Sequence, residues 1–287
     1  MTVPGKTLGI IVGAGDLPIA IARAAQSEGR QVFLLGLEGI TDPKAIEPFP
    51  HGFTGLGELG RAIKLLRGAD CSEITFAGKV SRVEFGKLKL DAKGAMALPR
   101  IVAAAVKGDD SLLRALLSMF EREGFRVTGS ADVARDLLAP AGPLGKLKPG
   151  NEDETDILQG LRVVQAMGAL DIGQAAVVCR GLVLAVEAAE GTDAMLTRVA
   201  SLPETLRGTL SQRKGVMVKT VKPHQERRVD LPVVAARTVE LVSAAGLSGL
   251  AIQAGGVLLV DRGKVAATAD RLGVFVHGFN PEAPARE

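Results

Sequence analysis

Leu8-Gly-Ile-Ile-Val12, then Gly13-Ala-Gly15-Asp-Leu-Pro18, then Ile19-Ala-Ile-Ala-Arg-Ala-Ala-Gln-Ser27 is the stretch whose reading decides the fold class. Leu8 to Val12 reads as a buried strand, a glycine turn ends it, and a proline in the first helical turn starts a helix from Pro18 to Ser27. Gln31 to Leu37 reads as a second strand. Farther out, Glu58 to Leu66 reads as helix, Glu73 to Ala77 as strand, Pro99 to Val106 as helix, and Ser111 to Glu123 as an amphipathic helix behind Asp109 and Asp110. Strands alternating with helices predict a largely parallel sheet. The register changes at Ala139 to Glu154, where Pro, Gly and charge replace apolar patterning. We therefore expect two α/β domains: an N-terminal Rossmann-like parallel sheet with helices over residues 1–138, a linker over 139–155, and a C-terminal α/β catalytic domain with a mixed sheet over 156–287. In the second domain the pattern predicts a helix from about Asp156 to Met167, a strand pair around Arg180-Gly181 and a helix from Ala194 to Leu202. A strand at Val216 to Lys219 and a helix near Val233 to Ala244 follow. Strands at Leu250 to Gln253 and Val257 to Val260, a helix at Lys264 to Leu272 and a strand at Val274 to Val276 complete it.

Composition narrows the function. The chain has 287 residues, 47% of them hydrophobic, with a mean hydropathy of +0.23, ample for packed cores. The most apolar stretch, Val233 to Val260, is interrupted by Arg237 and Glu240, so no spanning helix of about 18 uncharged residues is expected. No signal design precedes Leu8, which predicts a cytoplasmic protein. Cys71 and Cys179 lie far apart in strand-like surroundings and read as two buried free thiols. Three histidines, His51, His224 and His277, are too few for a histidine-rich zinc site. A net charge of +3 without Trp or Tyr argues against a nucleic-acid partner.

Chemistry concentrates in a few places. The turn Gly13-Ala-Gly15 invites a dinucleotide reading with Glu38 as the ribose acid, but Pro18 stands where the third glycine of that fingerprint belongs. A glycine turn that lets backbone N–H groups approach a phosphate or nucleotide is still expected there. Ala77-Gly78-Lys79-Val80-Ser81-Arg82 and Lys107-Gly108-Asp109-Asp110 are loops of the same kind, at or near the carboxyl ends of strands, where ligands gather in open parallel sheets. In the second domain, two polar islands break an aliphatic background: Glu187-Ala-Ala-Glu190-Gly-Thr-Asp193, and Lys219-Thr-Val-Lys222-Pro-His-Gln-Glu-Arg-Arg228-Val-Asp230-Leu-Pro232. Acids that hold a hard divalent cation beside cations that hold phosphate oxygens are the two halves of a phosphoryl-transfer site. The spacing also predicts Thr192 as the N-cap of a helix with Asp193 in its first turn.

These motifs, with Leu170-Asp-Ile-Gly-Gln174, resemble the LpxI family of UDP-2,3-diacylglucosamine pyrophosphatases of lipid A biosynthesis, in one register from about Leu8 to Phe279. His224 departs from the apolar residue expected of relatives. The resemblance implies a two-domain protein with its active site between the domains, a homodimer, and Mg²⁺-dependent hydrolysis of the pyrophosphate of UDP-2,3-diacylglucosamine to UMP and 2,3-diacylglucosamine 1-phosphate (lipid X). It implies Asp230 as the catalytic residue. Asp193, Glu190 and Asp230 are the expected metal ligands; Glu187 is also in reach, but can simply end a strand. Asp16, Leu17, Gly78, Lys79, Val80, Gln174, Gly191, Thr192, Lys219, Lys222, Gln225 and Arg228 are the expected substrate contacts. A diacyl substrate implies peripheral contact with the cytoplasmic face of the inner membrane. Two other readings stay open at this point: a nicotinamide-dependent oxidoreductase using Gly13 to Gly15 and Glu38, and a non-enzymatic nucleotide-sugar or lipid-binding protein.

Overall fold

In the computed structural model, which describes residues 7–80, 84–223 and 226–281, the chain divides into two compact units. The first comprises residues 1–136 together with Glu226–Asp230, and the second comprises residues 137–225 and 231–287.

The first unit follows the βαβ pattern through β1 (Thr7–Val12), α1 (Leu17–Ser27), β2 (Val32–Leu37), α2 (Pro43–Ile46), β3 (His51–Thr54), α3 (Leu59–Gly68) and β4 (Cys71–Ala77). It continues with α4 (Ala92–Ala105), α5 (Asp109–Arg122), β5 (Arg126–Val127) and α6 (Ser130–Val133). The sheet has the order β3-β2-β1-β4-β5 with every pairing parallel, the arrangement that the opening strand-turn-helix predicts. Ile11, Leu35, Ile63, Leu66, Ile74, Leu117 and Phe120 fill the core on one face of the sheet. Burial is almost continuous along β1 and β2, the pattern of parallel strands covered on both faces.

The helix expected from Pro99 begins at Ala92, where Asp91 caps it by accepting the Gly94 N–H at 2.8 Å, and Pro99 lies inside. An interior proline leaves a carbonyl one turn back without its donor. That carbonyl belongs to Ala95, a residue on the exposed side of the helix. The short strands β3 and β5 escape the sequence pattern because two to four residues are too few to show a period.

The second unit contains β6 (Gly142–Pro143), α7 (Asn151–Ala169), β7 (Ala175–Cys179), β8 (Leu182–Val186), α8 (Gly191–Ala200) and β9 (Val216–Lys219). After these come β10 (Val233–Val234), α9 (Ala236–Ala244), β11 (Gly249–Gln253), β12 (Leu258–Leu259), α10 (Arg262–Leu272) and β13 (Phe275–Phe279). Its main sheet runs β6-β13-β11-β9-β7-β8. The β13, β11 and β9 strands are parallel, whereas β7 is antiparallel to β9, β8 to β7 and β6 to β13, so the sheet is mixed as expected. A separate parallel pair joins β10 to β12. Arg180 and Gly181, at φ 51° and 76°, turn the β7–β8 hairpin in the left-handed conformation such two-residue turns require. Side chains alternate across β9: Val216 and Val218 pack with Ile157 and Val164 of α7, and Met217 packs with Met195 and Leu196 of α8.

Two expectations are corrected by these elements. Residues 139–155 are not a bare linker, because β6 pairs with His277 and Gly278 of β13 and α7 already starts at Asn151. Its acidic first turn, Glu152-Asp153-Glu154, reads as a charge run but complements the positive helix N-terminus. Glu226–Asp230, assigned from sequence to the C-terminal domain, groups with the first unit.

Candidate active site

Backbone rather than side chains holds the glycine loops of the first unit together. Gly13 N–H donates to the Ala77 carbonyl at 2.8 Å, and Ala14 and Lys79 exchange both backbone hydrogen bonds, at 2.8 and 2.9 Å. A Cβ on Gly13 would stand 2.6 Å from the Lys79 oxygen, and one on Gly78, at φ +93°, would stand 2.8 Å from the Ala14 oxygen. Both glycines are therefore required by the contact between the two loops. The Gly13 and Ala14 amides expected to approach a phosphate are already used. Asp16 precedes α1 without a side-chain capping bond, and it is exposed, as are Gly78, Lys79 and Val80, while Leu17 is half-buried. Glu38, the acid of the dinucleotide reading, pairs with Arg61 at 3.4 Å. Ser81 and Arg82 lie outside the described residues.

The segment Glu226–Asp230 is fastened to the first unit. Its Glu226 N–H donates to Asp110 Oδ1 at 2.8 Å, and the Arg228 carbonyl accepts from Ser130 N at 2.9 Å. The Arg228 guanidinium serves carboxylates: Nε and one terminal nitrogen donate to Glu226, each at 3.0 Å, and the other to Glu121 at 2.8 Å. Those hydrogen bonds hold Arg228 well above the usual guanidinium range and, with the Arg228 charge, hold Glu226 below the usual carboxylate range. Sequence reading assigned Arg228 to phosphate; the structure gives its three nitrogens a fastening role instead. Asp230 closes this turn, its N–H donating to the Glu226 carbonyl at 3.0 Å, and its half-buried side chain stands beside the fastened segment. Gln225 and His224 lie outside the described residues.

In the second unit the motif residues gather at one end of the mixed sheet. Because β7 runs against β9, its first residue Ala175 pairs with Lys219, the last of β9. Gln174 accepts from Thr220 N at 3.0 Å, and Gln253, ending β11, accepts from Val221 N at 3.1 Å. Strand alternation supplies the charges: Lys219 comes two residues after Met217 and Glu187 two after Ala185, so both fall on the face that packs against α8. There the Lys219 ammonium donates to Thr192 Oγ1 at 2.6 Å, and Thr192 donates to Glu187 Oε1, also at 2.6 Å. Lys219 Nζ lies 3.7 Å from Glu187 Oε2. Both ionic residues are almost wholly enclosed, Lys219 at 3% and Glu187 at 7% exposed, and Glu187 Oε2 is buried with no hydrogen-bond partner. A pair so far from water costs several kcal/mol of desolvation, roughly, for each ion unless partners replace the lost hydration.

Around that network, α8 begins at Gly191, φ +79°, with Thr192 and Asp193 in its first turn. Thr192 does not cap the helix as expected: the N-cap position is Glu190, and the hydroxyl is taken up between Lys219 and Glu187. Glu190 pairs with Arg198 at 2.9 Å, which, after a hydrogen bond from its own backbone, lowers its pKa. Asp193 is exposed. Lys222 Nζ donates to Asp171 Oδ1 at 2.6 Å. Sequence reasoning kept Glu187 only as an acid in reach that could simply end a strand, and it assigned no role to Asp171 or Gln253; the period-2 count from Ala185 to Glu187 is a signal that could have placed the first on the α8 face.

As a metal centre the arrangement is partly suited. Among the described residues no three His, Cys, Asp or Glu side chains assemble to hold a metal ion. The Glu190 carboxylate is committed to Arg198. Asp193, in the second unit, and Asp230, in the first, each carry the hard oxygens that Mg²⁺ takes, and Mg²⁺ commonly binds through one or two carboxylates with phosphate oxygens and water completing the shell.

Two family profiles match the chain, the LpxI N-terminal domain over residues 7–137 and the LpxI C-terminal domain over residues 140–277. The chain belongs to the LpxI family. A curated member, UDP-2,3-diacylglucosamine pyrophosphatase LpxI of Caulobacter vibrioides, is 47% identical over 277 residues, covering 96% of this chain and 99% of its own. Among solved structures, the N5-carboxyaminoimidazole synthetase of Staphylococcus aureus is 17% identical over 64% of this chain and 41% of its own, with a TM-score of 0.24, a likeness too slight to bear on the LpxI site.

Proposed function

We propose that this LpxI-family chain hydrolyses the pyrophosphate of UDP-2,3-diacylglucosamine, releasing UMP and 2,3-diacylglucosamine 1-phosphate, the step implied for lipid A biosynthesis. The reading rests above all on 47% identity to a pyrophosphatase of that name across 96% of this chain. The buried Lys219–Thr192–Glu187 network supports it. An ammonium anchored at a sheet end by a hydroxyl and a carboxylate is a preorganised positive group, the kind that stabilises charge building on phosphoryl oxygens. Thr192, Lys219 and Lys222 are assigned to the pyrophosphate, with Gln174, Gly191 and Gln225 beside it. Asp16, Leu17, Gly78, Lys79 and Val80 are assigned to the remainder of the substrate. Asp230 orients the attacking water. Mg²⁺ is proposed as the cofactor, with Asp230 and Asp193 as its carboxylates; when bound, it would neutralise phosphate charge. A homodimer and peripheral contact with the cytoplasmic face of the inner membrane complete the proposal. No helix among the described residues is long and apolar enough to cross a membrane.

The test is product identification by mass spectrometry after incubating the purified chain with UDP-2,3-diacylglucosamine in ¹⁸O-labelled water, with and without a chelator. UMP and the sugar 1-phosphate are expected, with the label on one of them reporting which phosphorus water attacks, and no turnover in chelator. Absence of both products in magnesium-containing buffer would overturn the reading.

A further inference from the structure

Helix α4 is apolar on nearly every side, yet it lies at the surface. Gly94, Leu98 and Ile101 point inward to varying degrees, and the helix packs on α3 and α5. At helical spacing on its other side, Ala95, Met96, Pro99, Val102 and, just beyond the helix, Val106 are all exposed, Met96 at 75% and Val106 at 84%. A helix that is hydrophobic all round is ordinarily buried, and an exposed apolar patch with a polar rim marks an interaction surface.

Charge identifies the partner. Arg100 is the lone charged side chain among the exposed residues of α4. Exposed Lys89 and Lys107 stand just before and after the helix. Between Lys87 and Lys107 the chain has five cations and one acid, Asp91. That acid is occupied, its carboxylate accepting the Gly94 and Arg61 N–H groups. Lys87 pairs with Glu84 and Lys93 with Glu123, which leaves Lys89, Arg100 and Lys107 without a carboxylate among the described residues. An apolar face rimmed by cations is the design of a helix lying in the plane of an anionic bilayer.

We propose that α4 docks this protein on anionic lipid, with Met96 and Val106 entering the headgroup boundary and Lys89, Arg100 and Lys107 meeting lipid phosphates. The proposal rests on the functional reading in one respect, that a diacyl substrate resides in a bilayer. It names the surface that meets that bilayer.

Co-sedimentation of the full chain with vesicles of phosphatidylcholine, alone or mixed with phosphatidylglycerol, tests it. Capture by the mixed vesicles only is expected, weakened by salt. Met96→Asp or Val106→Asp should lower capture by roughly tenfold or more, given the apolar area each side chain would otherwise bury. Arg100→Ser with Lys89→Ser should lower it by about fivefold for each cation removed. Hydrolysis of detergent-dispersed UDP-2,3-diacylglucosamine should stay at the wild-type rate in all of them. Wild-type protein that ignores anionic vesicles, or aspartate variants captured as well as wild type, would overturn the proposal. A folded Met96→Asp protein that loses hydrolysis in detergent would assign the face to the substrate's acyl chains. One that changes from dimer to monomer by light scattering would assign it to a second copy. Either result also overturns the proposal. Vesicle capture is read without substrate, so failure of the proposed hydrolysis leaves this result standing.

Discussion

Two buried carboxylates of the second unit, Asp156 and Glu187, stand at opposite ends of its sheet and are treated in opposite ways. Asp156, 2% exposed on α7, accepts the Arg180 N–H at 2.9 Å and the Gly181 N–H at 2.7 Å, so each of its oxygens serves the β7–β8 turn. Glu187 has one oxygen on Thr192 and the other without a hydrogen bond. A concavity of about 360 Å³ opens beside Asp156, lined also by Asp153, Arg213, Lys214 and Ser248, but none of the motif residues is in it. Arg213 braces that end, donating to the carbonyls of Ser243, Leu247 and Leu272. A fully satisfied buried charge is a structural staple; a partly satisfied one, linked to a buried lysine and a helix-start threonine, retains capacity for a ligand. The concavity and the unsatisfied carboxylate therefore lie at different ends of the sheet, and the hydrogen bonds favour the Glu187 end.

Asp230 supplies the largest effect against which both carboxylates can be measured. Asp230→Ala should reduce kcat by about 10²-fold or more, the usual loss when a preorganised group acting on developing charge is removed. Substrate affinity should hold, since two acyl chains contribute about 0.8 kcal/mol for each buried CH₂. Measuring kcat, Kd and Tm for the alanine and asparagine variants decides between catalysis and a turn-closing role. A folded variant within tenfold of wild type would falsify the catalytic assignment.

Glu187→Gln comes next. It keeps an acceptor for Thr192 but removes the charge opposite Lys219, and misplacement of such groups by about 1 Å can cost as much as 10²-fold. We expect kcat to fall by about 10- to 100-fold. Glu187→Asp, which restores the charge on a shorter stem, should recover part of that loss if the carboxylate positions Lys219 and Thr192. Asp156→Ala should do the reverse: two buried N–H groups lose their acceptors at about 1–3 kcal/mol each, lowering Tm by several degrees. Turnover per folded molecule should be unchanged. If calorimetry and kinetics show the two carboxylates behaving alike, the distinction between staple and site collapses.

What could be read from sequence follows the same division. Charges inside an aliphatic strand pattern stand out, so Lys219 and the acidic island were legible, as was the parallel sheet from Leu8 to Ser27. Cys71 and Cys179 are buried free thiols as expected, the former pushed up to about 12 by burial and by Asp70. Partnership was not legible. Glu121 is 107 positions from Arg228, and no local pattern reveals that it claims the guanidinium. For the same reason Gly13 and Gly78 look like a phosphate cradle in sequence, although each accommodates the other's loop across 65 positions. Thr192 illustrates both limits: its helix-start placement follows from its neighbours, whereas its bonds to Lys219 and Glu187 depend on three elements meeting at one sheet end.

The smallest expected effect concerns the fastening of Asp230. Glu226 is held below its ordinary value of 4.5, first by the hydrogen bond from the Arg228 side chain and then by other Arg228 and Arg114 contributions that outweigh burial. A carboxylate with a depressed folded pKa contributes stability that is fully present above the unfolded value and is lost as pH falls through the folded one. Acidification below about 4.5 should therefore release the Glu226–Arg228 bond, while neutral and mildly acidic buffers leave it intact. With Glu226 largely covered and Arg228 part-exposed, the contribution is of the order of 1 kcal/mol. Wild type and Glu226→Gln should thus differ in Tm at pH 7 and converge as pH falls through the lowered folded value of Glu226. At pH 7 the variant should also show faster amide exchange at Val229 and Asp230, because the turn those residues close loses its ionic tie while the Ser130 bond to the Arg228 carbonyl remains. A Tm difference that persists undiminished into acid would mean that Glu226 acts through packing or its backbone bond to Asp110, and that charge does not hold the segment in place.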